Sequence, residues 1–237
     1  RAKVVDGVPY LIGYTGGGEN YDDGEPALEV HWLTSDDGLQ WRAVVPDQPV
    51  VLRGGGAETD WVRLVDGRIL AVVRNEAGDA LGFGSKLCQA PAERPGDWSC
   101  IGDRRKYDSP RLFLHDGRPW LVARRNVTDT GWYDLGREDL PADQLSGAYE
   151  LDYRDKPKRC ALWSLDPEAL TVTWVRDLPS RGDTCFPAEI TLDVAAGQYA
   201  VFDYSSPLDG PDLSWQQGQQ GPTGIYRTRL LLPRGAP

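Results

Sequence analysis

The sequence predicts an all-β protein, a β-propeller of four-stranded antiparallel blades, on three observations. Glycine and proline are frequent, 27 and 18 among 237 residues, and they punctuate short apolar runs of Val, Ile, Leu, Tyr and Trp, as expected for many strands joined by tight turns. One strand–turn–strand element recurs four times, as DGVPYLIGY from Asp6, DGRILAVVR from Asp66, DGRPWLVAR from Asp116 and AAGQYAVFDY from Ala195. Three of the hairpins that follow end in tryptophan, at Trp41, Trp98 and Trp174.

In the first unit, Ala2–Val5 leads through Asp6-Gly7 into the second strand. Asp-Gly between apolar runs signals a two-residue hairpin, because glycine accepts the positive φ of a type I′ turn. The alternating run Glu29-Val-His-Trp-Leu, the turn TSDDGLQW (Thr34 to Trp41) and Arg42-Ala-Val-Val complete the unit. The second unit starts at Trp61–Val65 and closes at Trp98 after PAERPGD. The third starts at Arg111–His115 and closes at Trp174 after SLDPEALTVT. The fourth starts at Ala188–Leu192 and has only TGIYRTRLLL, Thr223 to Leu232, for its second hairpin.

The turn glycines Gly7, Gly67, Gly117 and Gly197 set a repeat of propeller-blade size. A β-sandwich with irregular hairpins is the competing architecture, but it does not require one turn and one tryptophan to recur. The short fourth unit leads to the expectation that a blade or closing strand precedes Arg1, with five or six blades in the intact protein. The chain otherwise reads as a single propeller domain over 1–237. An insertion from Val127 to Asp155, rich in Asp, Gly and Tyr and without clean periodicity, is expected to be a long functional loop on the active face.

A net charge of −10 excludes the basic footprint that nonspecific binding to nucleic acid or an anionic membrane requires. No run approaches the ~18 apolar residues of a membrane-spanning helix. Cys88, Cys100, Cys160 and Cys185, with only His31 and His115 to help, form no zinc-binding pattern, and neither a metal nor a cofactor is expected. Cys88 and Cys100 fall on paired strands, so they are either a disulfide or two small buried thiols.

In such a blade the residues before the first strand and after the second share one face of the disc, while the Asp-Gly hairpins and TSDDGLQW lie on the other. The first face collects Glu58-Thr-Asp60, Asp108-Ser-Pro-Arg111 and Gly182-Asp183-Thr184 before first strands. After second strands it collects Arg74-Asn75-Glu76, Arg124-Arg125-Asn126 with Asp129, and Asp203-Tyr204-Ser-Ser. Solvated loop charges and inter-blade ion pairs would account for any one of these. Their convergence on one face points to a site, with arginines as planar donors to carboxylate or hydroxyl groups.

SDDGLQW resembles the Asp-box of the sialidase superfamily, and DWVRLVDGRILAVVRNE, from Asp60, resembles the strand pairs of sialidase-like propellers. The resemblance implies a carbohydrate-active propeller whose Asp-box is a structural turn. It assigns Arg74, Arg124 and Arg111 or Arg227 to a substrate carboxylate, Tyr204 with Glu58 or Glu76 to nucleophilic attack, and Asp60 or Asp108 to proton donation. YDSPRLFLHDGRPWLVARR, from Tyr107, is similar to a stretch of five-bladed glycosidases acting on arabinose-, xylose- or fructose-containing sugars, with Ser109 interposed before Pro110. That likeness implies carboxylates at Asp60, Asp108 and Asp183.

The function expected is glycoside hydrolysis, exo-acting and sialidase-like, on an oligosaccharide or glycoconjugate, by a monomer in a secreted or periplasmic setting. Asp108 and Asp183 are the preferred acid/base pair, with Glu76 or Glu58 next. Arg74, Asn75, Arg111, Arg124, Arg125, Asn126 and Arg227 are the expected substrate-binding set. Tyr204 is either a nucleophile or stacking group, or simply channel wall. Trp41, Trp98 and Trp174 are expected to pack between blades, and Trp132, Tyr133, Tyr149 and Tyr153 to stack on sugar. Asn126-Val-Thr also fits a glycosylation sequon. A noncatalytic carbohydrate-binding or protein-interaction propeller is the alternative.

Overall fold

In the computed structural model, which describes residues 1–17 and 27–233, four antiparallel sheets form a four-bladed β-propeller. Blade 1 is β1 (Ala2–Val5), β2 (Val8–Thr15) and β3 (Leu28–Thr34), with β4 (Arg42–Ala43) and β5 (Val50–Gly54) both paired to β3. Blade 2 is β6 (Thr59–Arg63), β7 (Ile69–Asp79), β8 (Gly82–Ala90) and β9 (Ser99–Asp103). Blade 3 is β10 (Asp108–His115), β11 (Arg118–Asn126), β12 (Lys158–Asp166) and β13 (Thr171–Asp177). Blade 4 is β14 (Ala188–Asp193), β15 (Gln198–Ser205) and β16 (Gly224–Leu231).

The first hairpins form as the Asp-Gly pairs demand. Asp6 and Gly7 sit at φ 52° and 79°, and Asp116 and Gly117 at 52° and 75°, the two successive positive φ values of a type I′ turn. The turn at Thr34–Trp41 is built from side chains. Ser35 Oγ accepts from Gly38 N at 2.8 Å, and Asp37 Oδ1 accepts from Leu39 N and Gln40 N, each at 2.8 Å. Those amides draw the Asp37 carboxyl below the usual range.

Alternation along each strand puts apolar side chains on both faces, so each pair of neighbouring blades shares a core. Blades 1 and 2 meet on Tyr10, Trp32, Trp61, Ile69 and Val73, with the Trp32 and Trp61 rings edge-to-face at 4.7 Å. Blades 2 and 3 meet on Leu70, Val72, Tyr107, Leu121 and Trp163. Blades 3 and 4 meet on Trp120, Val122, Leu162, Tyr199 and Val201. Among the described residues, nothing covers the far face of blade 4, where Phe186, Ile190, Leu192 and Ile225 are all more than half exposed.

Three expectations are corrected here. The insertion is not a loop throughout, because it contains α1 (Ala142–Asp155). Leu145, Tyr149 and Tyr153 recur every fourth residue on that helix and close over Tyr133, Phe83 and Trp215 as a small core. Tyr133, Tyr149 and Tyr153 are therefore interior groups rather than sugar platforms. Of the three tryptophans, only Trp98 packs between blades, against the blade 1–2 core, whereas Trp41 and Trp174 are 37% and 49% exposed, Trp41 just before the short strand β4 and Trp174 on the outer strand β13.

Cys88 and Cys100 are bonded across the register pair of β8 and β9. A second disulfide, Cys160–Cys185, ties β12 to the segment entering blade 4. With its cysteines 25 positions apart, it restricts the unfolded chain by about 3 kcal/mol. The variant Cys160→Ala/Cys185→Ala is expected to lose about that much in urea unfolding, with blades 1 and 2 keeping their hydrogen-exchange protection.

Candidate active site

Period-2 alternation selects which polar residues reach the site. In β7, Leu70 and Val72 face blade 3, so Arg74 and Glu76 follow on that face, while Asn75 continues the Ile69–Ala71–Val73 face toward blade 1. In β11, Trp120 and Val122 face blade 4 and Arg124 follows them, while Arg125 continues the face of Leu121 and Ala123. The site forms where these extensions meet β10, and α1 roofs it.

Its floor is Asp108, 1% exposed and paired in register with Arg124. Asp108 Oδ2 accepts from Arg124 Nη1 at 3.3 Å and from the Tyr153 hydroxyl. Asp108 Oδ1 lies 3.7 Å from Arg74 Nη1 and 3.8 Å from Lys106 Nζ, with no hydrogen-bond partner. Arg124 also donates to Thr184 O at 2.6 Å and to the Tyr204 hydroxyl at 3.1 Å, and lies over the Trp215 ring at 5.2 Å. Burial opposes its charge, but Tyr153, Asp108 and Tyr204 outweigh that and raise its pKa.

On one side, Arg74 reaches Glu58 at 3.5 Å and Glu76 at 3.1 Å. Glu58 accepts from Ser109 N and Oγ at 2.8 and 3.0 Å. This fastens Ser109 at φ 49°, the bulge between Asp108 and Arg111, which is what the residue between Asp108 and Pro110 does. On the other side, Asp183 Oδ1 accepts from the Tyr204 hydroxyl at 2.9 Å and from Trp215 Nε1 at 3.0 Å. Trp215 opens the short helix α2 (Trp215–Gln219), fixed by a Ser214–Gln217 capping box. Burial and the Asp183 charge push Tyr204 up to about 12, against the pull of Arg124, so this phenol keeps its proton and donates it to Asp183 in a hydrogen bond.

Above the floor, Lys106 Nζ lies 2.9 Å from Glu76 Oε1 and 3.0 Å from Glu150 Oε2. Burial alone would raise Glu76, but Lys106 and Arg74 outweigh it and bring the carboxyl down to about 2. Burial and the neighbouring Glu76 charge take Glu150 up to about 7 against the pull of Lys106. Lys158, fully buried, is lowered to about 7 by burial and by Arg124.

The structure thus brings together Arg74, Glu58, Glu76, Asp108, Arg124, Asp183 and Tyr204 from the expected set. It adds Lys106, Glu150 and Trp215, which sequence reasoning missed, and Tyr153, which was expected to stack on sugar and instead donates to Asp108. Their signal was weak. The four-residue spacing on α1 and the Ser-x-x-Gln box before α2 mark the helices, but nothing local marks their meeting with Asp108.

The remaining expected residues lie elsewhere. Asp60, 0% exposed, accepts from Leu112 N at 2.7 Å and pairs with Lys3 at 2.9 Å. Arg111 pairs with Glu189 and lies 4.0 Å from Asp60, so both belong to an inter-blade network joining blades 1 to 4. Asn75 bonds Gly82 O at 2.6 Å within its own hairpin. Arg125 clamps Asp177 at 2.6 and 2.7 Å on the outer strand. Asn126 is buried and donates to Trp132 O at 3.1 Å, which leaves its sequon no room for a glycan. Arg227 is exposed on β16, opposite Phe202. Trp132 is exposed, with one face covered by Arg104 at 3.7 Å.

Among the described residues, Cys160, Cys185 and Asp203 bring metal-donor types together, but the two sulfurs are bonded to each other. A cavity of about 860 Å³ lies on the blade 3–4 edge, lined by Gly117, Trp120 and Leu231, away from the carboxylates.

No protein-family model matches the chain, and no curated protein does. Solved structures do. A protein of unknown function from Dyadobacter fermentans aligns over 98% of this chain and 52% of its own, at 16% identity and a TM-score of 0.54. The GH32 beta-fructofuranosidase of Bombyx mori aligns over 99% and 50%, at 13% identity and 0.50. An alpha-L-arabinanase of Penicillium chrysogenum complexed with arabinobiose aligns over 74% and 46%, at 10% identity and 0.44. The chain thus spans about half the length of these structures. At such identities the likeness of the first two is one of fold, and it is to propeller proteins that the chain is similar.

Proposed function

We propose that the protein is a glycoside hydrolase whose substrate enters between blades 2, 3 and 4, over Arg74, Asp108 and Arg124. The observation that carries this reading is the convergence of five carboxyl groups, Glu58, Glu76, Asp108, Glu150 and Asp183, around three cations from different elements. Glycoside cleavage needs one carboxyl that gives a proton and another that accepts one, in environments that separate their pKa values. Glu76 and Glu150 are separated in that way. A fold shared with a beta-fructofuranosidase supports the same substrate class.

The roles follow from access. Asp108 is too enclosed to meet substrate, so it orders the arginines. Asp183, partly exposed and held by Tyr204 and Trp215, takes the proton of the attacking water. Arg74 and Arg124 bind an acidic or hydroxyl-rich sugar group, and a sugar carboxylate, as in a sialidase-like exo-hydrolase, would suit them.

Hydrolysis of a panel of aryl glycosides tests the reading. Wild type is expected to release phenol from at least one member, and Asp183→Asn to be slower by 100-fold or more on that member, within the range for loss of a general base. A wild type silent on the whole panel that still binds glycans on an array would instead be a noncatalytic carbohydrate-binding propeller.

A further inference from the structure

Glu150 stands on the inserted helix, outside the repeat that builds the blades, yet it shares a cation with a blade residue. Lys106 Nζ lies 2.9 Å from Glu76 and 3.0 Å from Glu150, so the two carboxyls crowd one ammonium. Two like charges crowded on one cation favour a proton on one of the carboxyls. Arg74 Nε lies 3.1 Å from Glu76 as well, giving that group two cations. Glu150 has one, plus the Tyr133 hydroxyl at 3.5 Å. With two cations on Glu76 and one on Glu150, Glu150 is the carboxyl that holds a proton more readily, and its side chain is 26% exposed against 12% for Glu76, so that member of the pair is the one open to the solvent side.

The other groups around the pair agree with this placement. Asp108 from β10 faces Lys106 at 3.8 Å and adds negative charge below it. Arg124 from β11 is engaged with Asp108 and Tyr204. Lys158 from β12 lies over the Tyr153 ring and bonds main-chain oxygens, and Tyr153 on α1 donates to Asp108. Among the described residues, the partners of Glu150 are Lys106 and the Tyr133 hydroxyl.

We propose that Glu150 is the catalytic proton donor, delivering its proton to the glycosidic oxygen while Glu76 and Lys106 hold it in position. This rests on the reading of the protein as a glycoside hydrolase. The bond between the anomeric carbon and the leaving oxygen breaks with its electron pair on that oxygen, which takes the Glu150 proton and departs as an alcohol. Water adds its hydroxyl to the anomeric carbon and gives its remaining proton to Asp183, and the two carboxyls return to their starting states by exchange with solvent. The shift of Glu150 to about 7 supplies an acid still protonated near neutrality, the condition under which general acids act well.

The test compares wild type with Glu150→Gln on two substrates that share one sugar, a dinitrophenyl glycoside, whose leaving group needs no proton, and the methyl glycoside, whose leaving group does. The variant is expected to lose about 100-fold or more on the methyl glycoside and to stay near wild type on the dinitrophenyl one, with the basic limb of its pH profile gone. Equal losses on both substrates overturn the proposal and leave the hydrolase reading standing. A wild type inactive on both overturns both. Independently of turnover, infrared difference spectra at about pH 5.5 should show protonated-carboxyl absorption, part of it from Asp203, which burial raises to about 6, and Glu150→Gln should remove a component that Glu76→Gln leaves. Absorption left unchanged by Glu150→Gln places the proton elsewhere and overturns the assignment.

Discussion

Arg124→Met is expected to unfold at markedly lower urea than wild type, by about 3–5 kcal/mol, the range for breaking a buried ion pair by removing one partner. Methionine keeps most of the volume, so the loss is one of charge and hydrogen bonds. Arg124 is the single donor that joins Asp108 of β10, Thr184 O before blade 4 and the Tyr204 hydroxyl of β15. Without it, Asp108 stays buried with Tyr153 as its hydrogen-bond partner, and Arg74 and Lys106 remain beyond hydrogen-bond reach. Tyr204 loses the guanidinium that aims it at Asp183. Hydrolysis of any substrate that wild type cleaves should fall at least 100-fold, because the floor and one wall of the site are disconnected together. A variant with the wild-type urea midpoint would show that Arg124 is not the tie it is taken to be.

Lys106→Met has an effect whose sign changes the shape of the stability profile. Lys106 is 3% exposed and faces Glu76, Glu150 and Asp108. Burial lowers its pKa, but the three carboxylates outweigh that and raise it, so its contribution is present at neutral pH and lost only above its raised folded value. In wild type, Glu76 is depressed to about 2 and stabilises above its ordinary value near 4.5, losing that contribution as pH falls through 2. Glu150, raised to about 7, stabilises below 4.5 and loses that contribution as pH rises through 7.

Without the ammonium, the buried carboxyls are left to repel one another, and their folded pKa values rise above the unfolded ones. The variant is then most destabilised near pH 7, by about 3–5 kcal/mol, and recovers as pH falls toward about 4.5, where they protonate. Urea midpoints of both proteins across that window measure the difference. A penalty independent of pH would assign it to packing rather than charge.

Much of the fold was legible because each blade is a local object. Asp-Gly turns at Gly7 and Gly117 need only two adjacent residues to form, and the first strand at Ala2–Val5 follows from the turn beside it. The helix α1 was legible in principle, since Leu145, Tyr149 and Tyr153 carry a four-residue period. It was obscured because an aromatic, Asp-rich segment with an internal glycine reads as a loop when apolar residues are counted without their spacing. The split between Arg74 and Asn75, and between Arg124 and Arg125, was also latent in strand alternation. Extending the apolar parity of β7 and β11 by one or two residues separates the site residue from its neighbour.

The site itself was legible only as a neighbourhood. Sequence order placed Asp108, Arg74, Arg124 and Asp183 at strand ends on one face, because hairpin connectivity determines which end of each strand faces which way. What tertiary structure alone decided is which of those charges meet. Asp60 and Arg111 were drawn into the ties between blades, Asp108 was sealed beneath Tyr153, and Glu150 was set against Lys106, 44 residues away. Strand pairing is governed by alternation and turns within tens of residues. The state of a buried carboxyl depends on charges a few ångströms away, and those come from parts of the chain that only the packing of one blade on the next brings together.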